Sequence, residues 1–277
     1  MVPLEIGSDI GGSIRTPAAF NGVWGLKPSY NLLTTAGHHF PGTDGASKAL
    51  SVCGPLARDA DDLAAALDVL ADHPVPRAAP PAPGEWRILI LADHPEAEIS
   101  AEMRAALQGL GDAFANAGAR VDHASALVPD LSQQHRHYMH MLNIAMTRGA
   151  ADPVRGVPTL AEWFDLGDHQ ARNLRQWQQV FGQYDAVIAP IFGTTAFPHD
   201  DTPLPERRLE IDGRDTQFAA QFAFAGLATF PMLPATSVPI GIGAGGLPIG
   251  VQVMTDLYND HLSIAAARAA HDLVWSK

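Results

Sequence analysis

Apolar residues recur along this chain in two rhythms. One is helical. Leu63, Leu67 and Leu70 share a face of a stretch that opens at Asp59, a good N-cap, with Asp61 and Asp62 in the favourable first turn. Met103, Leu107, Leu110 and Phe114 form a second stripe, opened by Ser100 and closed by Gly118. Further helices are predicted at about 131–150, 159–182 and 215–226, and a last one from Asn259 or Asp260 to about Val274. The other rhythm is the short apolar run bounded by turn formers. It predicts strands at 87–91, 119–123, 184–189, 235–241 and 247–255. Asp212-Gly213 between two such short runs is a hairpin signal. The first thirty residues, rich in Gly and Pro, read as a compact, irregular, buried segment. Residues 74–85 (PVPRAAPPAPGE) read as a Pro-rich surface loop. Strands and helices interleave, and 87–123 has the form of a β-α-β unit, so the predicted class is α/β. No G-x-G-x-x-G turn follows the first strand of that unit, and no dinucleotide site is predicted.

Composition narrows the picture. The chain has 277 residues, 47% of them hydrophobic, enough for one large domain with a real core. Its net charge is −12, which argues against a surface built to grip nucleic acid or an anionic membrane. No run has the length of a membrane-spanning helix. The opening MVPLEIGSD has neither the basic nor the apolar region of a secretory signal. The single cysteine, Cys53, rules out an intramolecular disulfide and suits a cytoplasmic location.

The segment richest in chemistry is Gly7-Ser8-Asp9-Ile10-Gly11-Gly12-Ser13-Ile14-Arg15-Thr16-Pro17. Two glycines before a serine let the backbone turn sharply and approach a ligand. Successive N–H groups in such a turn converge on one anionic oxygen, and a serine beside them is placed to attack a carbonyl. Pro17 suits the first turn of a following helix. A tight structural turn accounts for the same residues, since short motifs of this kind recur by chance.

The match extends further. The run GSDIGGSIRTPAAFNGVWGLKPSY (7–30) is similar to the core of the amidase-signature family. VCGPLAR (52–58) resembles the family's G-P-x-A-R segment, and YDAVIAP (184–190) its Y-D-x-L-x-x-P strand. FAGLA (224–228), PATSVP (234–239) and GLPIGVQ (246–252) resemble its C-terminal signature, while 75–180 matches only in layout. The resemblance implies a central mixed β-sheet covered by helices on both faces, and hydrolysis of a carboxylic amide through a Ser–cis-Ser–Lys triad. Ser13 takes the position of the nucleophile. The backbone N–H groups of Ile10, Gly11 and Gly12 take that of the oxyanion hole. Ser8 and Asp9 take supporting positions, and Arg15 a structural one that fixes nearby loops. No metal and no cofactor are implied. The expected partner is a small-molecule amide, without nucleic acid or membrane, and a homodimer is compatible with the family.

In the family the cis-serine sits in a G-G-S-S-G-G segment shortly before the nucleophile, and the lysine further upstream on a separate strand. Only twelve residues precede Ser13 here. The resemblance therefore implies one amidase-signature domain over 1–277 that is incomplete at its N-terminus. An inactive remnant, or the product of a misplaced start, fits the same residues, because a serine hydroxyl needs a proton acceptor. The A subunit of a tRNA-dependent amidotransferase is a further reading. It fits less well, since that protein carries S-L-D-x-x-G-P where this chain has Ala49-Leu50-Ser51-Val52-Cys53-Gly54-Pro55.

The remaining candidates have plainer explanations. The lysines are Lys27, Lys48 and Lys277; Lys27 lies in the structural G-L-K-P segment, Lys48 in a surface loop, and Lys277 at the terminus. No histidine has the context of a Ser–His–Asp arrangement. In the cluster His135, His137 and His140, only the last two share a helix face, short of a zinc signature. Cys53 lacks a cationic flank and reads as an inert buried thiol. The turn at 242–246 lacks the Lys-Ser/Thr of a phosphate loop. Trp163, Phe164, Leu174, Trp177 and Phe181 recur at helical spacing and are predicted core.

Overall fold

The computed structural model describes residues 2–39, 43–46 and 48–275. Its strands are β1 (Leu4–Asp9), β2 (Trp24–Lys27), β3 (Val52–Ala57), β4 (Arg87–Ile90), β5 (Arg120–Asp122), β6 (Ala186–Pro190), β7 (Arg208–Ile211), β8 (Arg214–Gln217), β9 (Ala235–Ile242) and β10 (Pro248–Met254). Its helices are α1 (Arg15–Asn21), α2 (Ala60–Leu70), α3 (Ala101–Asn116), α4 (Leu131–Thr147), α5 (Leu160–Phe181), α6 (Phe222–Thr229) and α7 (Asp260–Trp275). Eight strands form one sheet in the order β1-β3-β2-β9-β10-β6-β4-β5. The pairing is antiparallel from β1 through β6 and parallel where β4 meets β6 and β5. This is the mixed sheet that the family resemblance implies.

Alternation along the strands sets the two layers. Thr236 and Ser237 are neighbours on β9, so their side chains leave opposite faces of the sheet. Thr236 Oγ1 meets Ser263 Oγ of α7 at 2.8 Å, and Ser237 Oγ donates to the Arg15 carbonyl of α1 at 2.9 Å. Helices α2, α3 and α7 therefore lie on one face, and α1 and α6 on the other, with α4 packed on α6 and α5 on α4. Trp24, Leu26, Ile88, Val187, Val238, Val251 and Val253 fill the core around the sheet.

Local signals place most helix starts. Asp59 accepts from Asp62 N and Ser100 from Met103 N, capping α2 and α3. Thr159 and Glu162 form a capping box at α5. Asp212 and Gly213 both have positive φ (50° and 76°) at the tip of the β7–β8 hairpin.

Two expectations need correction. The helix predicted at 215–226 is divided: residues 214–217 pair with β7, Phe218–Gln221 is a 3-10 turn, and α6 starts at Phe222. The hairpin turn draws 214–217 into a ladder, and a helix cannot begin until that ladder ends. The first thirty residues are not irregular, because they hold β1, α1 and β2. The partner of β1 is β3, more than forty positions on, so no local pattern reports it.

Candidate active site

The Gly-Gly-Ser segment is the turn between β1 and α1. Asp9 ends β1, residues 10–14 turn, and Arg15 opens α1. The turn depends on glycine twice. Gly12 sits at φ +99°, a conformation that L side chains avoid, and a Cβ on Gly11 would lie 2.9 Å from the Phe222 ring. Ser13 is exposed at the crest, facing a cavity of about 320 Å³ lined by Gly11, Gly12, Thr16, Pro17, Ile191, Phe192, Phe218, Gln221, Phe222 and Ala225.

Beneath the crest lies a buried ionic network. Asp9 and Arg15 are both fully buried, with Arg15 Nη2 3.0 Å from Asp9 Oδ1 and Arg15 Nε 3.0 Å from Oδ2. The Asp9 carboxylate also accepts the backbone N–H groups of Gly12 (2.9 Å), Ile14 (3.3 Å) and Arg15 (3.4 Å), which dictates the path of the turn. Burial by itself would raise the Asp9 pKa; the Arg15 charge and these hydrogen bonds outweigh it and hold the carboxyl below its ordinary value. Arg15 reaches onward to Gln252 Oε1 (2.6 Å), Thr229 Oγ1 (2.8 Å) and the Ala225 carbonyl (3.2 Å). Gln252 in turn donates to the carbonyls of Pro190 and Phe224. One guanidinium thus joins β1, α1, α6 and β10.

The expected oxyanion donors divide. The Gly12 N–H, predicted to face the oxyanion, points down to Asp9 and is occupied there. The N–H groups of Ile10 and Gly11, and that of Ser13, which was not among the expected donors, carry no hydrogen bond among the described residues. Ile10 is anchored through its carbonyl, which accepts from Tyr138 Oη at 2.9 Å. Tyr138 is fully buried on α4, and burial followed by the Asp9 charge pushes its pKa up. Ser8 is half-buried on β1, opposite Cys53 of β3.

Neither lysine nor histidine makes a hydrogen bond to Ser13 Oγ among the described residues. Lys27 is fully buried and donates to the carbonyls of Pro28 (3.0 Å) and Leu233 (2.7 Å). Burial, then the Arg15 charge, push it down to about 7. Lys48 donates to the His38 carbonyl at 2.9 Å, and Lys277 lies outside the described residues. His94 and His135 meet edge to face at 6.0 Å, and burial followed by the neighbouring His135 pushes His94 to about 4. His137 stacks on His169 of α5 at 3.8 Å, while His140 lies one turn further along α4. Among the described residues no group of three His, Cys, Asp or Glu is placed to hold a metal ion. Trp177 is fully buried, and its indole donates to Gln134; Phe164, predicted core, is exposed on the outer face of α5. A larger apolar cavity of about 500 Å³ lies beneath Pro80, Pro81 and Pro83, among α2, α3 and α7, and shares no residue with the Ser13 turn.

Ser13, Asp9 and Arg15, named from the sequence, come together in one turn; Tyr138, Gln252 and the phenylalanines around the cavity were not named from the sequence as site residues. A polar signal existed for Gln252, the one amide in an otherwise apolar strand. None existed for Tyr138, whose contact spans 128 positions.

A family model described as Amidase matches residues 1–154 and 161–263. The chain belongs to the amidase family. Amidase relatives include an indoleacetamide hydrolase from Bradyrhizobium japonicum, 30% identical over 95% of this chain and 61% of that protein. The A subunit of a glutamyl-tRNA(Gln) amidotransferase from Rubrobacter xylanophilus is 29% identical over 96% of this chain and 63% of its own length. The solved structure of a fatty acid amide hydrolase superposes with a TM-score of 0.77 at 20% identity, covering 98% of this chain and 56% of that one. The chain thus spans about 60% of the length of the amidase relatives it matches. No helix among the described residues is long and apolar enough to cross a membrane.

Proposed function

We propose that this chain carries the nucleophile half of an amide hydrolase, with Ser13 forming the acyl-enzyme. The observation that carries the reading is the turn itself. An exposed serine crowns a turn in which the backbone N–H groups of Ile10, Gly11 and Ser13 carry no hydrogen bond among the described residues, above a buried Asp9–Arg15 pair that ties the turn down. In the proposed reaction Ser13 Oγ adds to the amide carbonyl, and the developing oxyanion is met by N–H groups that need no reorganisation. The amine leaves with a proton, and water then hydrolyses the ester. No described residue is bonded to Ser13 to receive its proton; in this reading the acceptor is the cis-serine and lysine pair that the family resemblance implies, and the G-G-S-S-G-G segment that carries that serine is not among these 277 residues. The substrate is a small carboxylic amide, in keeping with the indoleacetamide hydrolase relative. A role within an amidotransferase, like that of the Rubrobacter relative, is the second reading, and the match to that protein favours keeping it.

A fluorophosphonate probe tests the first reading. Labelling at Ser13, lost in Ser13→Ala, is the expected result when the 277 residues are joined to a segment that carries the cis-serine and lysine. No labelling, or labelling that survives the substitution, refutes it for this chain. Glutamine as the preferred amide would favour the amidotransferase role.

A further inference from the structure

The cavity beside Ser13 has a wall of one chemical type. Phe192, which follows β6, is buried, and it packs with Phe20 (5.3 Å between centroids, 73°), Phe197 (5.6 Å) and Phe218 (5.7 Å). Phe218 and Phe222 meet edge to face at 6.5 Å and 84°. Of these, Phe192, Phe218 and Phe222 line the cavity. Leu209 and Ile211 of the β7–β8 hairpin pack behind Phe192, so the wall is buttressed from outside. The Arg207 guanidinium lies 5.2 Å from the Phe218 ring centroid and is held by the Thr202 carbonyl, without lining the cavity.

The polar inventory is as informative. Among the described residues no charged side chain lines the cavity. Gln221 does, but its amide is engaged: Oε1 accepts from Gly193 N (2.6 Å) and Nε2 donates to the Glu98 carbonyl (3.0 Å). Among the described lining residues, the polar groups without a hydrogen bond include the Gly11 N–H, the Ser13 N–H and hydroxyl, and the Thr16 hydroxyl. A carboxylate or ammonium placed among the phenylalanines would lose its hydration without a partner. A planar ring would instead join a cluster in which Phe20–Phe192 and Phe218–Phe222 already meet edge to face, a geometry that aromatic quadrupoles favour. A volume of about 320 Å³ sits at the small end of ligand sites and accommodates one bicyclic group.

The geometry points to an uncharged aromatic amide as the substrate class, with Phe192, Phe218 and Phe222 as the residues that select the ring. The inference rests on Ser13 as the acylated residue for which end of the cavity receives the carbonyl. The ring preference itself is a property of the wall.

Binding to the full chain, measured by ligand-observed NMR, tests it. The ligands are naphthylacetamide, N-naphthylacetamide, the saturated decalin analogue of the first, and the first with a carboxylate on its ring. At least one naphthyl amide is expected to bind about tenfold tighter than the decalin analogue, the worth of one to two aromatic contacts. The tighter of the naphthyl pair assigns the cavity to the acyl or the amine half, and either order supports the ring site. The carboxylated ring is expected not to bind. Phe218→Leu, or Phe222→Leu if the first fails to fold, is expected to abolish the preference over decalin, while Ser13→Ala retains it. Equal binding of ring and decalin, binding of the carboxylated ring, no binding at all, or an unchanged preference in both Phe variants would overturn the proposal. Ring selectivity without fluorophosphonate labelling leaves this inference standing and removes the Ser13 reading; labelling without ring selectivity does the reverse.

Discussion

Replacing Arg15 with methionine isolates the interaction on which the Ser13 turn depends. The methionine keeps most of the aliphatic stem and removes the guanidinium. Asp9 is then left fully buried without its charge partner, and Gln252 Oε1, Thr229 Oγ1 and the Ala225 carbonyl each lose a donor. Breaking a buried ion pair from one side costs about 3–5 kcal/mol. Three backbone N–H groups still reach the Asp9 carboxylate, so the lower end, about 3 kcal/mol, is expected at neutral pH. That is a large part of the stability of an ordinary domain, about 5–15 kcal/mol. The pH dependence carries a sign. In the native protein Asp9 is depressed, so its contribution is present above the ordinary carboxylate value and fades as the pH falls through the folded one. Without Arg15, burial dominates and raises the folded value. Protonation then relieves the variant, and its deficit narrows between about pH 7 and about pH 5. Urea unfolding followed by tryptophan fluorescence, with Trp24, Trp86 and Trp177 buried as reporters, measures this at both pH values. Asp9→Asn combined with Arg15→Met should cost less than the two single changes added together. A deficit under about 1 kcal/mol at neutral pH, a deficit that widens in acid, or simple additivity would refute the reasoning.

Three further outcomes are expected. Lys27 is depressed to about 7 from an ordinary 10.5, so the unfolded chain binds the extra proton between those values and stability rises with pH across that window; Lys27→Met should flatten the rise in urea midpoints, and a native profile that is flat or falling contradicts the assignment. Tyr138→Phe removes the donor to the Ile10 carbonyl, at a cost of about 1 kcal/mol, and should slow fluorophosphonate labelling of Ser13, whereas labelling at the native rate would show that the anchor does not position the turn. Leu4 and Ile6 stand exposed along β1, an edge of the sheet among the described residues, and Val2 is exposed just before it; Ile6→Lys should reduce concentration-dependent light scattering, and unchanged scattering would clear this edge of a role in association.

What the residues themselves determined is whatever rests on near neighbours. The caps at Asp59 and Ser100, the stripes of α2 and α3, and the Asp212-Gly213 tip of the β7–β8 hairpin all act within four positions along the chain. The Ser13 turn was legible for the same reason, since Asp9, Gly12 and Arg15 lie within six residues and the segment resembles a known one. Tertiary structure decided the rest. The pairing of β1 with β3, the handing of 214–217 to a strand, and the engagement of the Gly12 N–H by Asp9 depend on which groups the fold brings into contact. Tyr138, Gln252 and the Phe192–Phe218–Phe222 wall come to the site from far along the chain. A buried donor or a ring edge shows no periodicity along a sequence; its meaning lies in the partner it meets, and only packing supplies that partner.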